Sequence, residues 1–162
     1  MTNSANLERS DNMDENISII NKTKGKLPSL PFALLKQDIL GIKYSLSIAF
    51  VGEKTSKELN NKFRQKNKST NILSFELGKN SGELILCPAV MKREYKNFDR
   101  TYQNFVGYLV IHGMLHLKGM AHGSIMDKAE NKYDQKYFYR NRLGLEHDTS
   151  RGGRIHKRRK SS

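Results

Sequence analysis

The stretch "HGMLHLKGMAH", His112 to His122, gathers three of the chain's five histidines at spacings of four and six residues. Neutral imidazole is a common ligand for divalent metals, and zinc accepts three such ligands with a fourth position left open for chemistry. His112 and His116 stand one helical turn apart, so both project from the same face. Residue 122 cannot share that face if the helix continues. Gly119 supplies the turn, because glycine takes the left-handed conformation that ends a helix and brings the chain back. A single histidine on an apolar helix is usually a packed core residue. Three of them with a glycine at the required bend read as a site for one zinc ion per chain. Nickel, iron and copper suit three imidazoles and an open position less well.

The spacing H-x3-H-x2-G-x2-H is that of the metzincin motif with one letter changed. A protease of the H-E-x-x-H type carries its general base beside the first ligand, and here Gly113 occupies that position. Ordinary peptidase chemistry is therefore disfavoured. Zinc can still lower the pKa of a bound water towards ~7 without a neighbouring base. What such a site lacks is a group to stabilise charge on a reacting anion.

These histidines need a helix to carry them, and "TYQNFVGYLVIHGMLHLKGM" is apolar on nearly every side, the pattern of a helix buried in a core. The periodicity predicts a strand over 16–20 and a helix over 27–40, entered through prolines and stopped at Gly41. A strand over 42–52 and a helix over 53–66 follow, the helix with Leu59 and Phe63 on one face. Strands over 71–77 and 83–87 flank the turn "GKNSG". Helices are expected over about 88–97, 101–118 and 125–142, with Gly144 as a stop. The predicted fold is α+β, a single domain with a small mixed β-sheet covered by helices and a metzincin-like three-histidine metal helix. Residues 1–15 lack periodicity and are expected to be disordered, 16–145 form the folded domain, and 146–162 are a basic disordered tail.

Charge supplies the next constraint. The chain of 162 residues has 29 Lys and Arg against 16 Asp and Glu, net +13. Residues 151–162 contribute six bases and no acid, and 1–15 are net acidic, so 16–150 still carry +10. A basic folded body suits a polyanion, with nucleic acid the leading partner. Cys87 is the single cysteine; it excludes an intrachain disulfide and reads as a small core side chain in a reducing compartment. The opening residues are polar and acidic rather than signal-like, and the longest apolar run is too short for a membrane span. A soluble cytoplasmic protein without a membrane partner is expected. His147 and His156 read as exposed residues, not ligands.

On these residues the chain resembles the YbeY family of bacterial rRNA maturation factors, metal-dependent, single-strand-specific endoribonucleases. The family's H-G-x-L-H-L-x-G-[YF]-D-H signature is matched by "HGMLHLKGMAH". Its L-N-x-x-[FY]-R-x-x-x-x-[PS]-T-[DN]-[VI]-L-S-F block is matched by "LNNKFRQKNKSTNILSF", and its G-[DE]-[IL]-x-[IL] strand by "GELILCP". The resemblance covers roughly residues 16–145. It implies His112, His116 and His122 as zinc ligands and Arg64 as the functional arginine. A guanidinium binds phosphate oxygens through two parallel hydrogen bonds, so Arg64 would position the scissile phosphate or stabilise its transition state. The implied substrate is single-stranded RNA, by analogy 16S rRNA of the small ribosomal subunit during 3′-end maturation and quality control, with no DNA expected. The nucleophile, water or the RNA 2′-OH, stays open.

Three departures stand out. Met120 and Ala121 replace the usual aromatic and aspartate before the third histidine, and Asn71 stands where aspartate is common. Two rival readings remain: a ribosome assembly factor with structural zinc that binds RNA without cutting it, and a metallohydrolase of another substrate.

Overall fold

Period-two alternation of apolar side chains builds a sheet with two different faces. The structure, a computed structural model, describes residues 16–138. Strands β1 (Ile17–Asn21), β2 (Ser45–Phe50), β3 (Ile72–Gly78) and β4 (Ser81–Leu86) form one mixed sheet in the order β1-β2-β4-β3. β1 and β4 run parallel to β2, and β3 pairs antiparallel with β4. Register places Ile48 beside Leu84 and Leu73 beside Ile85. Leu46, Ile48, Phe50, Ile72, Leu84 and Leu86 therefore join the main core, while Ala49, Leu73 and Ile85 form a smaller cluster with Val51.

The larger face is filled by α4 (Tyr102–Leu117), which packs on β3 and β4. Its buried residues span positions from Phe105 to Leu117 on almost every side. Thr101 starts it, its side-chain oxygen accepting from the Asn104 backbone N–H at 3.2 Å, an N-cap that satisfies one of the helix's orphan donors. Helices α1 (Phe32–Leu40) and α5 (Ser124–Tyr137) pack against α4. The smaller face carries α2 (Glu53–Arg64), through Leu59. Helix α3 (Pro88–Glu94) runs into a 3-10 turn at Tyr95–Asn97. The α+β domain with a mixed sheet and a buried histidine helix is as the sequence predicts.

The bounds differ where local chemistry intervenes. α1 begins at Phe32 rather than 27, because a residue before proline is pushed out of the helical region and both Pro28 and Pro31 lie in that stretch. It ends at Gly41, φ 97°, as expected. β2 is shorter than 42–52. The β3–β4 hairpin closes more tightly than the predicted turn, with Gly78 paired to Ser81 and the register shifting between Glu76 and Gly78. α2 stops at Arg64 because Gln65 is left-handed, φ 55°. α5 ends at Tyr137. The expectations for 1–15, for 139–142, for Gly144, His147 and His156, and for the basic tail lie outside the described residues.

Candidate metal centre

His112 and His116 leave α4 on one face, as their spacing requires, and α4 ends one residue after His116, at Leu117. Gly119 follows with φ 95°, the left-handed bend anticipated for it, and Gly123 with φ 152° starts α5. Both angles favour glycine, so the short return between them brings His122 back over the helix. Ligand-capable nitrogens of the three rings lie within 4.8 Å of one another. Two of the histidines are half-buried and His122 is exposed, so the cluster opens to solvent.

Outer hydrogen bonds decide what the rings can do. His112 Nδ1 lies 2.5 Å from Glu130 Oε1, and His116 Nδ1 lies 3.0 Å from the Met120 carbonyl oxygen. A carboxylate and a carbonyl only accept, so both Nδ1 atoms carry the protons and donate. In neutral rings both Nε2 atoms are then lone pairs, and they lie 3.0 Å apart. Two lone pairs so placed repel unless a proton or a metal ion sits between them. The residues thus fit a metal ion held by His112 Nε2, His116 Nε2 and a nitrogen of His122, and the three-histidine group could bind one. Burial lowers the pKa of His116, assisted by His112 beside it. That favours the neutral, ligating imidazole. No further His, Cys, Asp or Glu joins the group among the described residues.

Glu130 was not legible as a site residue by motif. It is 8% exposed on α5 and also accepts from the Tyr108 hydroxyl at 2.8 Å. Burial alone pushes its carboxyl up, yet the hydrogen bonds from His112 and Tyr108 outweigh this and hold it below the ordinary carboxylate range. Burial, with the Glu130 contact, pushes the Tyr108 hydroxyl up and keeps it a donor. Behind them Arg100 lies 4.8 Å over the Tyr108 ring and binds Asp134 through two hydrogen bonds of 2.7 and 2.8 Å. The signal in the sequence was helical: Met126, Glu130 and Asp134 recur every four residues on the buried face of α5.

Gly113 receives a structural explanation. A Cβ there would meet Ile72 Cδ1 and Leu84 Cδ2, each at 2.8 Å, and Ser74 Oγ at 3.1 Å. Position 113 faces the sheet and is a point of close approach of α4 to β3 and β4. The departures also find partners. Met120 serves His116 through its backbone carbonyl, which does not depend on its side chain. Ala121 is exposed, and the carboxylate that touches His112 is that of Glu130. Asn71 donates from Nδ2 to Glu94 Oε2 at 2.7 Å, a bond an aspartate could not donate.

Arg64 lies exposed in the last turn of α2 and pairs with none of the described residues. The structure brings the three histidines together.

A small mixed-sheet domain whose buried helix and the turn after it bring three histidines together, a group that could hold a metal ion, is a scaffold of the α+β class. Comparison with known proteins narrows it further. The profile of the endoribonuclease YbeY family matches residues 10–141, and the chain belongs to that family. A relative from Bdellovibrio bacteriovorus named endoribonuclease YbeY is 44% identical over 79 residues, 48% of this chain and 53% of the relative. One of the same name from Buchnera aphidicola subsp. Schizaphis graminum is 38% identical over 111 residues, 57% and 70% of the two chains. The chain thus spans about half the length of the first relative and more of the second. The solution structure of a Thermotoga maritima protein superposes with a TM-score of 0.52 at 24% identity, covering 83% of this chain and 99% of that one, which supports the fold.

Proposed function

We propose that this chain is a zinc-dependent endoribonuclease that cuts single-stranded RNA, acting on rRNA of the small ribosomal subunit during 3′-end maturation and quality control in the cytoplasm. One observation carries the reading: two imidazoles whose outer protons are fixed by Glu130 and Met120 present their remaining lone pairs to a common point that His122 closes. In the proposed site His112, His116 and His122 are the ligands, and zinc bound there supplies Lewis acidity for phosphodiester cleavage. Three protein ligands with an open position suit catalysis rather than a closed structural site. Gly113 removes the protease base, and the basic body favours an RNA substrate over a peptide. Arg64 binds a phosphate of the RNA, a role consistent with a guanidinium that no described side chain neutralises.

The test incubates wild type, His112→Ala and Arg64→Ala with single-stranded rRNA fragments and measures bound metal in parallel. Cleavage lost in both variants, with metal lost only in His112→Ala, is the expected result. Equal cleavage by all three proteins would overturn the catalytic reading. Retained RNA binding without any cleavage by metal-loaded wild type would favour the assembly-factor alternative. End-group analysis identifies the nucleophile: 2′,3′-cyclic phosphate for the RNA 2′-OH, 5′-phosphate for water.

A further inference from the structure

We infer that the end of α2 and the loop after it form a stacking platform for an unpaired RNA base, with Phe63 as the platform and the surrounding cations as the phosphate track. The inference rests on the RNA-directed reading above and adds a binding surface outside the histidine cluster. Leu59 and Phe63 share one face of α2, but only Leu59 is half-buried against the small cluster. Phe63 overhangs the small cluster and is 52% exposed. Its ring is propped on one side by Phe75, centroids 4.9 Å apart at 61°. Lys62 Nζ lies 5.3 Å over the ring, so a base stacking on this exposed phenylalanine displaces that flexible side chain towards the adjoining phosphate.

The segment that carries it is basic. Residues 59–75 contain Lys62, Arg64, Lys66 and Lys68 and no acid, and all four cations are exposed, while Glu58 and Glu76 flank the segment and Glu83 lies opposite Phe75 in the sheet. Lys62 and Arg64 complement the negative end of the helix dipole. Lys66 and Lys68 lie beyond the helix and have no such explanation. The loop that carries them is fastened to α2. Asn60 Nδ2 donates to the Lys68 carbonyl at 2.8 Å, Ser56 Oγ donates to the Thr70 carbonyl at 2.9 Å, and the Thr70 N–H returns to Ser56 Oγ at 3.0 Å. Ser56 and Asn60 are both buried. The cations therefore project from a preformed backbone, which lowers the ordering cost of binding. Cations flanking a propped aromatic ring match the alternating phosphates and bases of a single strand, whereas an acidic peptide would leave the ring unused.

The chain has no tryptophan, so Phe63→Trp in the full-length protein places a lone fluorescent reporter on the platform. Metal is removed with chelator to prevent cleavage, and a single-stranded oligoribonucleotide is titrated in. Quenching of the indole emission by the oligoribonucleotide, and not by inorganic polyphosphate or a polyglutamate peptide of matched charge, is expected. In anisotropy titrations Phe63→Ala and Phe63→Leu should bind the same RNA roughly five- to a hundredfold more weakly. Leucine keeps the apolar packing against Phe75, so a purely structural role would spare that variant. Lys66→Ala with Lys68→Ala should flatten the slope of log affinity against log salt by roughly 0.7 for each phosphate no longer neutralised. Unchanged affinity in Phe63→Leu, while wild type binds and cuts RNA, would overturn the platform and leave the nuclease reading standing. No RNA binding or cleavage by the metal-loaded wild type would overturn both. Quenching equally strong with the peptide would overturn the base-stacking claim in favour of an acidic protein partner.

Discussion

Replacing Glu130 separates two jobs that its carboxylate performs. One oxygen accepts from His112 Nδ1 at 2.5 Å and the other from Tyr108 at 2.8 Å, in a site only 8% exposed. The first bond holds the proton on Nδ1 and so keeps Nε2 free to ligate; losing such a partner reduces metal affinity about 10- to 100-fold, or ~1.4 to 2.7 kcal/mol. The second satisfies a buried hydroxyl, and orphaning it costs ~1 to 3 kcal/mol of stability. Glu130→Ala removes both acceptors and should lose affinity and stability together. Glu130→Gln keeps a carbonyl oxygen for His112 but removes the charge, so it should weaken zinc binding by about tenfold with a smaller fall in Tm. Tyr108→Phe should leave zinc affinity within a few-fold of wild type. Chelator competition gives the zinc Kd, and melting of the metal-free proteins gives stability. Wild-type zinc affinity in both Glu130 variants would refute the claim that this carboxylate orients the first ligand.

Three further outcomes test the packing around the site. Gly113→Ala drives a methyl into Ile72 and Leu84 at 2.8 Å, and the overpacking should cost ~1 to 3 kcal/mol, read as a lower Tm. Asp134→Asn breaks a bidentate pair whose side chains, Arg100 and Asp134, are only 13% and 4% exposed; removing one charge of so buried a pair should cost ~3 to 5 kcal/mol in denaturant unfolding. Asp38 on α1 accepts from Lys136 and Tyr137 on α5, and the Lys136 hydrogen bond, outweighing partial burial, lowers its pKa below the ordinary 3.8. A depressed carboxylate stabilises above its unfolded value and loses that contribution as pH falls through its folded value. Below about pH 4 the Tm of wild type should therefore fall more steeply than that of Asp38→Asn.

The three-histidine group was legible because its information is local: a four-residue step on an apolar helix and one glycine at its end. Gly119 behaves as read, and the buried Cys87 does too. Glu130 was not legible by spacing to the histidines, since its place beside His112 depends on how α5 docks against α4 across 18 residues of chain. Only its helical phase with Met126 and Asp134 marks it as inward-facing. The start of α1 and the ends of the β3–β4 hairpin strands were misplaced because proline geometry and a register shift act locally, below the reach of periodicity. Phe63 was paired with Leu59 as one apolar face, and only Leu59 is half-buried against the small cluster.

The close seat of α4 on β3 and β4 also limits which catalysts this scaffold can become by mutation. A glutamate at position 113 would need room now filled by Ile72 and Leu84, so acquiring a protease-type base takes compensating losses of bulk on two strands as well as the substitution itself. Truncating either core residue first opens a cavity, and introducing the glutamate first overpacks the interface. Every order of these steps passes through a destabilised intermediate. The glycine beside the first histidine therefore acts as an evolutionary ratchet, separating this helix from peptidase chemistry by a valley in stability rather than by a single codon.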